Sequence, residues 1–204
     1  ALNLGTVSVG QNFEARSGGV ISDSGVITVA GTATFITDVN DIDIVLDSDN
    51  AITGALTFTT QTSGSTNGAD ITFDNGSTAI SLAAFTTEGD LTLKTDAAIA
   101  LTGHTVNGDL TVTSAAAISQ SAALTVSGTS SFTSTGTNTN ITLSTDSNAF
   151  TGAVSAVTAG TSGDVTIDNG TTALNLGTLT ANGALSVRGG NGITDSGVIT
   201  VSGT

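Results

Sequence analysis

Residues 183–204 read GALSVRGGNGITDSGVITVSGT, and this stretch decides the fold. It holds three short runs in which apolar and small polar residues alternate, separated by Gly, Asn, Asp and Ser. Alternation places successive side chains on opposite faces of a β-strand, and the separating residues are common turn formers. Looser copies occur at residues 11–32 and 109–129. Each copy has the pattern of one coil of a β-solenoid.

Internal repeats extend this pattern along the chain. Residues 1–32 and 173–204 are identical at 18 of 32 positions, at an offset of 172. Residues 21–32 match residues 118–129 at an offset of 97, and residues 118–129 match residues 193–204 at an offset of 75. The offsets describe about two copies of a super-repeat of 75 to 97 residues, built from coils of about 19–22 residues. Periods of this length are typical of solenoids.

The predicted fold is an all-β, right-handed parallel β-helix with about nine or ten coils and three short strands per coil. A helical fold is a poor fit because Thr, Ser, Val, Asn, Asp and Gly are weak helix formers. An antiparallel sandwich is the alternative, but the tight 19–20-residue repetition favours the solenoid. We assign one class of first strands to residues 13–15, 71–73, 91–93, 110–112, 165–167 and 185–187.

The chain is expected to form one continuous β-solenoid over residues 1–204. Two irregular stretches, residues 35–71 and 132–165, keep the strand pattern and therefore predict long or irregular coils rather than a domain break. Because the sequence begins and ends within a repeat, we expect it to be a fragment of a longer repeat protein.

Composition narrows the classes of partner. Seventeen acidic residues against three basic ones give a net charge of −14. Such a surface repels nucleic acid and anionic membrane surfaces, so neither is an expected partner. No apolar run approaches ~18 residues, so no membrane-inserted helix is expected. The absence of cysteine fits many exported bacterial proteins that lack disulfides.

Several sequence pieces carry a family resemblance. They are ITDSGVITVSGT (193–204), GTATF (31–35), NITL (140–143), NAFTGAVS (148–155) and NGDLTV (107–112), in that cyclic order. In these pieces, across essentially the whole chain, the sequence resembles the repeat region of filamentous haemagglutinin-like bacterial adhesins. The resemblance implies a β-helical shaft, two-partner secretion with an outer-membrane partner, and an extracellular position at the bacterial cell surface. The family's secretion domain, with its Asn-Pro motifs, has no match here because the chain has no Pro.

Three functions are weighed against one another. The leading one is a structural shaft that acts as a stiff spacer in attachment or biofilm, with a host or matrix ligand that the sequence does not identify. The alternative is a self-assembling extracellular filament or sheath of solenoids stacked end to end. The third, a glycan-active β-helix enzyme, is disfavoured because no cluster of carboxylates with basic partners stands out. We therefore expect no enzyme activity and assign no catalytic residue.

Two structural ion pairs are predicted from the repeat. All three basic residues, Arg16, Lys94 and Arg188, directly follow a first strand. One coil earlier, the same position holds Asp74 in the case of Lys94 and Asp168 in the case of Arg188. Stacked coils bring such positions to strand spacing. We expect Asp74–Lys94 and Asp168–Arg188 pairs that set register between coils, although a solvated pair stabilises a fold by only ~0–1 kcal/mol.

Two further candidates are weak. The densest acidic cluster includes Asp41, Asp43, Asp47 and Asp49, and Ca²⁺ prefers several oxygen ligands of this kind. Their spacing is not that of an EF-hand loop, so a solvated acidic surface is the simpler interpretation. His104 has no cysteine or second histidine to complete a transition-metal site. We predict that it is an exposed turn residue.

Overall fold

The computed structural model describes residues 1–61 and 68–203. These residues form short β-strands joined by turns, and they contain no helix. In chain order the strands are β1 Leu2–Leu4, β2 Val7–Val9, β3 Phe13–Ser17, β4 Ile21–Asp23, β5 Ile27–Val29, β6 Ala33–Asn40, β7 Ile44–Leu46, β8 Ala51–Ile52, β9 Leu56–Gln61, β10 Ile71–Asp74, β11 Thr86–Thr87, β12 Leu91–Thr95, β13 Ile99–Thr102, β14 Thr105–Val106, β15 Leu110–Ser114, β16 Ile118–Ala122, β17 Thr125–Val126, β18 Ser130–Thr137, β19 Ile141–Leu143, β20 Ala149–Phe150, β21 Ala153–Ala159, β22 Val165–Asp168, β23 Leu174–Ala181, β24 Leu185–Arg188, β25 Ile193–Asp195 and β26 Ile199–Val201.

Every pairing between these strands is parallel, and pairs join one coil to the next. One long sheet has the order β1-β4-β7-β10-β12-β15-β18-β21-β23-β25, with β26 also on β23. Four short sheets complete the coils: the first (β2, β5, β8), the second (β3, β6, β9), the third (β11, β14, β17, β20) and the fourth (β13, β16, β19, β22, β24). The predicted parallel β-solenoid of about ten turns is therefore confirmed.

The core is a narrow column of aliphatic side chains with a phenylalanine stack in its first half. Buried hydrophobic residues form one cluster from Ala15 to Ala181. Phe35 lies between Phe13 and Phe58, with ring centroids 5.9 Å and 5.8 Å away. Inward and outward side chains alternate along each strand, which is why period-2 patterning dominates the sequence. Fully burying one such side chain stabilises the fold by roughly 1.5–3 kcal/mol.

The assignment of one first-strand class is wrong. Residues 71–73, 91–93 and 110–112 belong to the long sheet, whereas residues 13–15 belong to the second short sheet and residues 165–167 and 185–187 to the fourth. A spacing of one coil correctly identifies strands that stack. It does not show that segments alike in sequence occupy the same sheet, and here they do not.

The irregular stretches contain coils longer than those of the regular repeat. Phe35 pairs with Phe58, 23 positions later, and Leu56 pairs with Leu82, 26 positions later. Residues 62–67 are outside the described residues. In the other stretch Phe132 pairs with Ala156, 24 positions later. Within the described residues, no helix is long and apolar enough to cross a membrane.

Candidate functional site

Lys94 lies between two carboxylates of preceding coils. Its Nζ is 2.5 Å from Oδ2 of Asp74 and 3.7 Å from Oδ1 of Asp49. The Cα atoms of Asp74 and Lys94 are register partners in the long sheet. The hydrogen bond to Asp74 raises the pKa of Lys94. Half of the Lys94 side chain is solvent-exposed, so the pair lies at the surface and couples one coil to the next.

Arg188 repeats this arrangement on another sheet. Its Nη1 donates to Oδ2 of Asp168 at 2.8 Å, and the two residues are register partners in the fourth short sheet. This bond lowers the pKa of Asp168. Arg16, which shares the repeat position, instead contacts Asp38, with Nη2 2.7 Å from Oδ1. The structure thus forms both predicted ion pairs and adds a third, Arg16–Asp38, for which no partner was predicted.

Two of the buried asparagines, Asn75 and Asn169, make the same set of hydrogen bonds in two different coils. Oδ1 of Asn75 accepts the Ile52 N–H at 2.9 Å, and its Nδ2 donates to the Ile52 and Ala79 carbonyls at 3.0 Å. Asn169 makes the same three bonds with Phe150 and Ala173. Both side chains are at most 1% exposed. This role was not predicted, although the DNG-x-T-A pattern shared by residues 74–79 and 168–173 is a usable signal for it.

Four aspartates form a column along one edge of the long sheet. Asp43, Asp70, Asp90 and Asp109 each directly precede a long-sheet strand. The first three each accept, through Oδ1, the backbone N–H of the next aspartate, at 3.0, 2.7 and 2.7 Å. Desolvation, with the charges of Asp90 and Asp43, raises the pKa of Asp70. The recurring Asp followed by Ile or Leu could have revealed this column.

The calcium candidates are spread over separate contacts. Asp43 belongs to the aspartate column and Asp49 lies near Lys94. Asp41 lies in a turn with φ of 59°. The backbone N–H of Asp47 donates to Oδ1 of Asp23 at 3.1 Å. In the part of the chain that the structure describes, no three His, Cys, Asp or Glu side chains are placed to hold a metal ion. The calcium hypothesis gains no support from this geometry.

His104 is buried, so its predicted exposure is wrong. It is 2% exposed, and its Nδ1 has no hydrogen-bond partner among the residues that the structure describes. The Phe85 ring packs edge-on against it at 5.0 Å, and the Thr125 N–H bonds to its carbonyl. Burial lowers the pKa of His104 to about 4. The TGHTVNG stretch looks like a turn, but coil register places His104 at the position that buried Leu124 occupies in the next coil.

The last described coil exposes apolar side chains. Ile199 and Val201 are 41% and 45% exposed. Their sequence equivalents 172 positions earlier, Ile27 and Val29, are 0% and 1% exposed because the following coil covers them. Ile193 and Val198 are exposed in the same coil. These exposed side chains occupy positions that are buried in coils on which another coil stacks.

These contacts are architectural: they join coil to coil through ion pairs, hydrogen bonds of asparagine carboxamides and stacked carboxylates.

A family model described as repeats of unknown function (DUF5649) matches residues 1–59, 88–157 and 162–204. No curated protein and no solved structure matches the chain. The matched segments cover most of the sequence and coincide with stacked coils. The chain therefore belongs to the DUF5649 repeat family.

Proposed function

We propose that the chain is a stiff structural shaft of a large secreted bacterial surface adhesin. The observation that carries this proposal is the long sheet, which passes through all ten turns without a break. Bending such a rod would require stretching parallel hydrogen bonds along one side, so the rod resists bending and keeps its two ends apart. Its role is to hold attachment regions of the full protein away from the cell.

The core supports the same role. One hydrophobic cluster extends from Ala15 to Ala181, so no gap in packing marks a hinge among the described coils. Each coil contacts mainly its neighbours, which lets a shaft lengthen by adding repeats without redesign. Ten turns at ~4.8 Å span about 48 Å.

The proposed location is supported by the family resemblance. The proposed protein leaves the cell with an outer-membrane secretion partner and acts at the bacterial cell surface. A net charge of −14 keeps the shaft soluble and disfavours nucleic acid as a partner. The shaft carries out no catalysis and needs no cofactor.

The test uses the bacterium that makes the protein. Antibodies against the chain should label intact cells, and protease added outside should remove the label. Deleting the in-register segment 1–172 from the shaft should leave the protein on the surface while reducing its reach in an adhesion assay. A chain that stays inside the cell, or attachment that is unaffected by complete loss of the protein, would overturn the proposal.

A self-assembling filament of solenoids stacked end to end is the second candidate, because parallel strand pairing already joins each described coil to the next. The same pairing between the end coils of two molecules would continue the sheets. The purified natural-length protein should then elongate with rising concentration. A monodisperse monomer at all concentrations would reject the filament and leave the shaft.

A further inference from the structure

Two tight turns with the same construction interrupt the regular succession of strands. In each turn Oδ1 of the Asp accepts the Gly N–H at 2.9 Å, and the Gly has a left-handed φ of 51° or 57°. We call Asp74–Gly76 and Asp168–Gly170 the junctions. Residues other than glycine rarely adopt this φ, which explains why glycine ends the DNG sequence at both places.

Each junction ends a sheet. The Asn75 carboxamide bonds to both the N–H and the C=O of Ile52, in β8, the last strand of the first short sheet. The Asn169 carboxamide does the same to Phe150, in β20, the last strand of the third short sheet. A primary amide has the donor and acceptor of a peptide group, so it replaces the next strand and leaves no unpaired edge.

Strands that match in sequence change sheet at each junction. The relevant strands, here called c-strands, include those with the three basic residues and their repeat equivalents: β3, β6, β9, β12, β15, β18, β21 and β24. Before the first junction β3, β6 and β9 form the second short sheet. Between the junctions β12, β15, β18 and β21 lie in the long sheet, and after the second junction β24 lies in the fourth short sheet.

We propose that each junction is a phase-shifting unit, which moves the repeat on by one face of the solenoid. The shift arises because the segment that carries each junction adds one strand, β10 or β22, between successive c-strands, so the next c-strand falls on the following face. The ion pairs Asp74–Lys94 and Asp168–Arg188 fasten the junction to the coil that follows it. Backbone bonds from Asn75 N to Lys94 O and from Asn169 N to Arg188 O reinforce the same contact.

The consequence concerns how the solenoid presents its surface. The outward-facing equivalents Glu14, Thr111 and Ser186 lie on three different sheets. A repeat without junctions would line equivalent side chains along one side of the rod. With junctions, a partner that recognises one repeat finds the next copy on another side, so a flat partner meets only some copies. The proposal rests on the fold and does not depend on the adhesin role.

Neighbouring cysteines test the shift, because the natural chain contains no cysteine. Thr72 and Thr92 are register partners across the first junction, and Thr166 and Ser186 across the second. If c-strands instead kept one sheet throughout, Thr57 would neighbour Thr92 and Ser155 would neighbour Ser186. Dibromobimane bridges and fluoresces only when two thiols are adjacent.

The cysteine pairs 72/92 and 166/186 should bridge as fully as the controls 34/57 and 92/111, which lie within one phase. The pairs 57/92 and 155/186 should stay unbridged. Bridging of 57/92 and 155/186 would overturn the proposal, and so would failure of 72/92 and 166/186 while the controls bridge. Circular dichroism of each variant confirms that it retains the folded state.

Discussion

The carboxamide of Asn75 pairs with both backbone groups of Ile52, across 23 positions of sequence. The bonds measure 2.9 and 3.0 Å, and Asn75 is 1% exposed. A side chain here takes the place of a strand, and the first short sheet ends against it. The same relationship recurs between Asn169 and Phe150, so it is a repeated element of the architecture.

Asn75→Ala should destabilise the protein by about 2–3 kcal/mol, because it leaves the buried Ile52 N–H and C=O without partners. The amide of Ile52 should also exchange hydrogen much faster, while amides of the distant β18 should not. Urea unfolding and site-resolved hydrogen exchange measure both effects. The control is Asn12→Ala, which removes one exposed bond to the Thr32 N–H. Equal losses for the two variants would contradict the assigned role of Asn75.

Asp70→Asn should raise the melting temperature at pH 7. The substitution keeps an oxygen to accept the Asp90 N–H but removes a charge flanked by Asp43 and Asp90. The folded pKa of Asp70 is raised, so the ionised carboxylate is less favourable in the folded state than in the unfolded state. The protein is therefore more stable at low pH, where Asp70 is protonated, and loses that stability as pH rises through the folded pKa. The gain from the substitution should therefore disappear below about pH 3.8, the ordinary pKa of the carboxyl group.

The matched control for that variant is Asp164→Asn. Asp164 accepts the Ala184 N–H, and its own N–H donates to Asn140, so its column neighbours carry no charge. This control should change the melting temperature less than Asp70→Asn. A stabilisation of the same size in both variants would mean that repulsion along the aspartate column is not the cause.

His104 should make the fold acid-sensitive. Its pKa is about 4 in the folded state and 6.5 when unfolded, so the unfolded chain takes up the proton first. Stability is then lost as pH falls from 6.5 to about 4, by on the order of 3 kcal/mol. His104→Leu copies the residue of the next coil and should abolish this component. Urea unfolding midpoints, measured at several pH values across that range, test this. If the midpoint changed with pH equally in the natural protein and in His104→Leu, the assignment would be contradicted.

The Asp74–Lys94 pair should contribute little to stability. A double-mutant cycle with Asp74→Asn and Lys94→Met should give a coupling of about 0.5–1 kcal/mol that shrinks in high salt. Because the folded pKa of Lys94 is raised, the contribution should persist below pH 10.5 and be lost above it. A coupling of zero at low salt would limit the pair to a geometric role.

The parallel solenoid was predictable because its determinants are local. Alternating residues and turn formers recur once per coil, so residues 71–73 and 91–93 were correctly stacked. The change of sheet at Asn75 was not predicted, because the stacked strands β10 and β12 lie 20 positions apart, as in a regular coil. Only the register shows that the Asn75 amide stands in for a strand.

The candidate site residues also divide into those that the repeat alone places and those that only tertiary packing places. Asp74 and Asp168 could be paired with Lys94 and Arg188 because the repeat alone brings these positions together. His104 could not be placed, since its local sequence suits a turn and its burial depends on Phe85 of the preceding coil. Asn75 and Asn169 also occur in N-G-[ST] sequences that look like exposed turns, yet both are buried.

The central claim, a stiff shaft that lengthens by whole coils, is tested most directly by the length of tandem arrays. Residues 173–204 match residues 1–32, so units of residues 1–172 can be joined in register. Each unit adds the eight long-sheet steps from β1 to β23, or about 38 Å at ~4.8 Å per coil. Small-angle X-ray scattering of one, two and three units should show the maximum dimension rising linearly by that amount. Increments that shrink with each added unit, as in a flexibly jointed chain, would contradict the claim.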